Sequence, residues 1–143
     1  MATDQILIYK LIPDVGLLVL IWLVQLVIYP SFKYYSASEL KLWHNTYTRR
    51  ITLVVLPLML SQLVMSIALL LMSNWMSYYM IDSTLVVLTW ILTFVIFVPL
   101  HQNIDKFQDA FASIHQLVKY NWIRTILWSL IAFMTIYKSL ILN

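Results

Sequence analysis

Four apolar stretches dominate the chain, at 5–29, 51–72, 83–100 and 123–142. Each is about the length needed to cross a hydrocarbon layer roughly 30 Å thick, which takes about 20 helical residues. In lipid a span must satisfy its own backbone hydrogen bonds, so each stretch is predicted to be a helix. Polar residues gather in the short intervals between the stretches, and no repeat, linker or low-complexity tract divides them. The pattern predicts one domain over 1–143, an all-α integral membrane protein built as a four-transmembrane-helix bundle. The first stretch has no small-residue cleavage site after a basic start and exceeds the length of a signal-peptide core, so it reads as a retained span.

The intervals have structure of their own. Ser36-Ala37-Ser38-Glu39 fits a capping box, in which hydroxyl and carboxylate satisfy the free amides of a starting helix, so a helix is expected from about Ala37 straight into the second span. In the third interval Ile104, Phe107, Phe111, Ile114 and Val118 recur at spacings of three and four with polar residues between them. That periodicity predicts an additional amphipathic helix over about 103–119, lying in the membrane interface or beneath the bundle. Pro57 and Pro99 are expected to bend the second and third spans.

Composition supports the membrane reading: 62% of the 143 residues are hydrophobic and 10% charged, against roughly a quarter charged in soluble domains. The absence of cysteine removes disulfides, thiolate metal sites and dithiol redox chemistry. A single glycine removes Gly-rich phosphate loops. The charge is distributed asymmetrically. Lys33, Lys41, Arg49 and Arg50 belong to the first interval and Lys106, Lys119 and Arg124 to the third, while only Lys10 and Lys138 stand at the other ends. The excess places the first and third intervals in the cytoplasm and both termini on the opposite side. The net +3 then meets anionic membrane lipid, and no soluble basic face exists to hold a nucleic acid.

Polar groups inside the spans are costly and raise functional questions. Trp22, Gln25 and Tyr29 fall on one helical face, readable as an inter-helix hydrogen-bonding stripe or as a ligand-facing one. Ser61, Gln62, Ser66, Thr89 and Thr93 read mostly as structural. Asp14 is expected to pair with Lys10 at i, i+4 or with Lys138. A proton relay through it is not expected, because the same face continues through Leu18 and Ile21. His44, His101, His115, Asp105 and Arg124 concentrate near the basic end. Asp105 is four residues after His101, a spacing at which its carboxylate can fix the imidazole tautomer. Asn121 is a candidate cap for the fourth span. The histidines read either as satisfied interfacial groups or as acid–base groups, or metal or haem ligands. They lack a ligand spacing such as H-E-x-x-H, so no metal site is assigned and haem stays open as a cofactor.

Trp22-x-x-Gln25-x-x-x-Tyr29-Pro30-x-Phe32, Pro99-x-His101 and Asn121-x-x-Arg124-Thr125 together resemble small, mostly uncharacterised four-span bacterial membrane proteins. Pro99, Asn121, Arg124 and Thr125 are also similar to positions of the anthrone-oxygenase-like family, with His101 standing where that family usually has Asn. The resemblance implies a bacterial inner membrane, a four-helix bundle and oxidation of a lipophilic aromatic compound. Length and basic charge are shared with the trimeric membrane-associated glutathione and eicosanoid enzymes. However, Asn45 is followed by Thr46-Tyr47-Thr48, without the Glu of their Asn-x-x-Glu motif.

Three functions of different classes follow. One is a membrane oxidoreductase or oxygenase with a polar pocket at the cytoplasmic interface, where His101 and Arg124 are catalytic and Trp22, Gln25, Tyr29, His44 and Asn121 bind the substrate. Another is a module binding a lipid, a quinone-like molecule or haem. The third is a structural subunit of a membrane complex. The partners expected are membrane lipid and a lipophilic small molecule, with a homo-oligomer left open.

Overall fold

The computed structural model describes residues 2–106 and 110–141. They form four helices: α1 (Ala2–Tyr34), α2 (Ala37–Met72), α3 (Ser77–Asp105) and α4 (Ala110–Ile141). Each is long and apolar enough to cross a membrane, and the chain is a multi-pass membrane protein. The helices run up and down. α1 packs on α2 and α4, and α3 packs on the same two from the other side. Leu17, Ile21, Val24, Phe32, Val86, Phe97, Leu117, Trp128 and Ile131 fill the centre, while Ile12, Leu53, Val95 and Phe133 face outward. An exposed apolar exterior of this kind has lipid as its solvent.

The connections follow local chemistry. Ser36 and Glu39 form the capping box that opens α2, which runs unbroken from Ala37 through Pro57. α2 closes when the Trp75 amide donates to the Leu70 carbonyl at 3.2 Å, with Asn74 in the left-handed region at φ 51°. That is the Schellman arrangement, and Asn takes the position usually held by glycine. α3 ends in a turn at Lys106, where the basic connection begins.

Three features depart from the sequence pattern. The amphipathic stretch expected over 103–119 is not a separate helix. Its first residues end α3, 107–109 lie outside the described residues, and 110–119 form the first turns of α4 with Ile114 and Leu117 buried. The third span begins before position 83, because helix starts at Ser77 and encloses Asp82. Finally, α1 and α3 each contain one π-turn, at Val24–Ile28 and Thr93–Phe97. Each π-turn is followed two residues later by a proline, Pro30 or Pro99. A proline supplies no amide to the preceding turn, and a π-turn accommodates this by inserting a residue into the ladder.

Candidate functional site

A cavity of about 320 Å³ lies toward the basic end of the bundle. Its walls are mostly apolar, from Ile51, Val55 and Met59 of α2 and Trp90, Phe94 and Phe97 of α3. Thr52, Leu56, Phe94 and Val98 line it and are themselves exposed, so it opens between α2 and α3 onto the lipid-facing surface. Its chemistry is concentrated in Tyr29, Tyr47, His101, Asp105 and Arg124. Apolar walls with a few convergent polar groups are the usual make-up of a small-molecule site.

A chain of hydrogen bonds joins three helices at this site. Asp105 Oδ1 lies 2.7 Å from His44 Nδ1, His44 Nε2 lies 2.8 Å from His101 Nδ1, and His101 Nε2 lies 3.0 Å from the Tyr29 hydroxyl. The two imidazoles stack with centroids 5.0 Å apart, and Phe32 meets His44 edge-on at 5.5 Å. His44 is fully buried, whereas the Asp105 side chain, which also lines the cavity, is 33% exposed at the end of α3, so the chain runs behind the cavity wall from Tyr29 to the helix end. The i, i+4 spacing of His101 and Asp105 does place both toward α2, but Asp105 holds His44 rather than His101. The imidazole of His44 stands between them and bridges the two.

Arg124 lines the cavity as well. Its guanidinium sits 3.7 Å from the centroid of the Phe97 ring and 5.3 Å from that of Trp128, and it contacts the Tyr29 phenol. Arg124 Nε donates to Asn121 Oδ1 at 3.1 Å, Asn121 Nδ2 donates to Gln25 Oε1 at 2.9 Å, and Gln25 Nε2 donates to the Val118 carbonyl at 3.2 Å. This succession fixes the arginine in rotamer and height. Among the described residues no carboxylate lies within ion-pair distance of it, although it is 8% exposed. The aromatic faces offset part of the cost of burying that charge, and the rest favours an oxygen acceptor in the cavity.

The residues singled out in the sequence fall into three groups. Tyr29, His101 and Arg124 converge on the cavity. Gln25, Asn121 and His44 are buried behind it and hold those three in place without lining it. Asn121 lies in the middle of α4 and is not a helix cap. Trp22 stands apart: 40% exposed, it donates to Ser129 Oγ at 3.2 Å and packs edge-on against Trp122 at 5.9 Å. The cause is the π-turn after it, because one inserted residue rotates everything downstream by about 100° relative to an unbroken α-helix. His115 is exposed and does not line the cavity.

Residues absent from the sequence-based site are Tyr47 and Trp90 in the cavity wall and Asp105 as the partner of His44. Trp90 Nε1 is buried without a hydrogen-bond partner among the described residues. Both imidazoles have their nitrogens engaged along the chain, and among the described residues no three His, Asp or Glu groups converge as a metal site would require. A haem iron held by His44 or His101 would need one of these hydrogen bonds to be broken.

A second polar cluster sits in the half of the bundle away from the basic end. Lys10 Nζ lies 2.7 Å from Asp14 Oδ2, 2.9 Å from Asp82 Oδ1 and 3.2 Å from Thr135 Oγ1. Gln62 donates to Asp14 at 2.7 Å, Thr135 donates to Asp14 at 2.6 Å, and Ser66 donates to Asp82 at 2.7 Å. The expected Lys10–Asp14 pair is therefore present, while Lys138 rests over the Tyr78 ring. Continuity toward the cavity runs across helices rather than along α1. Trp128 Nε1 donates to Gln62 Oε1 at 3.2 Å and turns its ring to Arg124. An indole only donates, so hydrogen bonding between the two sites stops at Trp128. Asp82 has a sequence signal, a single carboxylate inside an otherwise apolar run, which is lost when the span is taken to begin after it.

Comparison of the chain with protein-family models, with curated proteins and with solved structures yields no match.

Proposed function

We propose that the protein binds a lipophilic ring compound bearing an oxygen function, phenol- or quinone-like, in the cavity between α2 and α3. The observation that carries this reading is Arg124, a buried cation on the cavity wall with no carboxylate beside it among the described residues. Positioned cations stabilise a ligand oxygen that carries or develops negative charge, and here the surrounding apolar walls exclude water and strengthen that attraction. Tyr29 and His101 stand at the same end and supply acid–base groups within reach of that oxygen. The opening between α2 and α3 suits a molecule arriving from the bilayer. The family resemblance implies a bacterial inner membrane, and the basic connections favour this end in the cytoplasm and both termini outside. Oxidation of the ligand, which the family resemblance implies, requires an electron acceptor in addition, whereas binding does not.

The test is a titration of detergent-purified protein with an alkyl nitrophenol, followed by quenching of tryptophan fluorescence, since Trp90 and Trp128 flank the site. Saturable quenching by the wild type and its weakening by about tenfold or more in Arg124→Gln, as loss of a charge-assisted contact predicts, supports the reading. Linear, unsaturable quenching, or equal affinity for Arg124→Gln, overturns it.

A further inference from the structure

The hydrogen-bond chain extends beyond what a binding pocket needs. A site that only held its ligand would require Tyr29, His101 and Arg124, whereas the contacts continue through a fully buried second imidazole to a carboxylate that also lines the cavity and is one-third exposed at the end of α3. We propose that Asp105, His44, His101 and Tyr29 form a path that moves one proton between the bound ligand and the membrane surface. This rests on the reading of the cavity as a ligand site.

An ionised carboxylate only accepts, so His44 Nδ1 bears a proton. With both imidazoles neutral, His44 Nε2 must accept and His101 Nδ1 must donate to it. His101 Nε2 then accepts from the Tyr29 hydroxyl, and of the phenol oxygen's two lone pairs one faces Arg124, which only donates, and the other is left for a proton arriving from the cavity. One arrangement thus satisfies every partner, with Asp105 at the exposed end and Arg124 beside the phenol at the other. Among the described residues Tyr47 also faces this path, 6.4 Å from His44 between ring centroids.

The transfer balances along the path. The O–H bond of a ligand hydroxyl breaks as a new O–H bond forms on Tyr29, whose own proton passes to His101 Nε2. The proton on His101 Nδ1 passes to His44 Nε2, and the proton on His44 Nδ1 passes to Asp105. The ligand is left as an oxyanion against Arg124, and Asp105 as a carboxylic acid that releases its proton to interfacial water. Both imidazoles have exchanged tautomers, so a second proton cannot follow until the first returns or the rings turn over. The path therefore performs reversible exchange with a bound ligand rather than continuous conduction.

Two measurements test this. Solid-state ¹⁵N NMR of histidine-labelled, ligand-free protein in lipid is expected to show His44 and His101 protonated at Nδ1 and bare at Nε2. Protonation at Nε2 in either residue overturns the path, whatever the cavity binds. Stopped-flow mixing with the alkyl nitrophenol in weak buffer, with a pH indicator, is expected to release close to one proton per probe bound as phenolate. His44→Gln, which retains an amide for Asp105 but passes no proton, and His44→Phe are both expected to slow release per bound probe by about tenfold or more, the size of effect usual for a positioned acid–base group. Saturable binding with unchanged release in both variants overturns the path and leaves the pocket standing. Absence of saturable binding by wild type overturns the pocket and the ligand exchange together.

Discussion

Trp90 keeps a buried indole N–H without an acceptor among the described residues, in the wall of the cavity. An unmet donor costs roughly 1–3 kcal/mol, so Trp90→Phe is expected to leave the melting temperature of the empty protein unchanged or raise it, read by thermal unfolding in detergent. A fall of several degrees would mean that the indole is held by something in the fold. Arg124 gives the opposite result. Lysine at this position keeps the charge but loses the planar face that lies on Phe97 and the Nε–H that Asn121 receives. Arg124→Lys is therefore expected to weaken nitrophenol binding by about tenfold, measured in the quenching titration.

At the scale of elements, the π-turns decide which residues reach the cavity. Val95 belongs to the turn at Thr93–Phe97 and faces outward. Deleting it lets the segment close as an ordinary α-helix and turns His101 and Asp105 back by about 100°. The expected result is loss of saturable nitrophenol binding with the helical circular-dichroism signal retained; binding that survives the deletion would show that the turn does not set the site. The sequence made the four spans legible because each is a long apolar run, and it made the start of α2 legible because Ser36 and Glu39 carry their own signal. The π-turns were not legible. Val24–Ile28 and Thr93–Phe97 each hold one polar residue, Gln25 or Thr93, which an ordinary apolar helix would also carry, and the one further mark is the proline two residues beyond. Trp22 was assigned to the site because seven residues separate it from Tyr29, close to two α-helical turns, and the inserted residue breaks that relation. Tyr29, His101 and Arg124 were legible as costly polar groups near one end. The partnership of Asp105 with His44 was not, since local spacing pairs Asp105 with His101 and only tertiary packing brings α2 between them.

For the whole molecule, the cluster around Lys10 ties all four helices together: Lys10 and Asp14 on α1, Gln62 and Ser66 on α2, Asp82 on α3 and Thr135 on α4. Removing one partner of a buried ion pair leaves an uncompensated charge and costs about 3–5 kcal/mol. Lys10→Met is therefore expected to destabilise the fold by that amount in detergent unfolding, and replacement of Lys10, Asp14 and Asp82 together by apolar residues is expected to recover most of it. A triple variant no more stable than Lys10→Met would show that the cluster contributes more than charge compensation.

The same lysine has a consequence for how the chain is made. Within α1, Lys10 and Asp14 already stand one turn apart, but among the described residues the cation within ion-pair distance of Asp82 is that same Lys10, shared by the two carboxylates. A lone aspartate at the centre of a membrane helix raises the cost of insertion by about 3 kcal/mol, and Asp82, near the start of α3, carries part of that cost, so α3 enters the bilayer more readily when the first hairpin is already there to receive it. The order of synthesis, α1 before α3, is then also the order in which charges can be matched. In a cell-free translation with membranes, a chain lacking α1 is expected to insert α3 poorly, and substituting Asp82 with Leu in that shortened chain is expected to restore it.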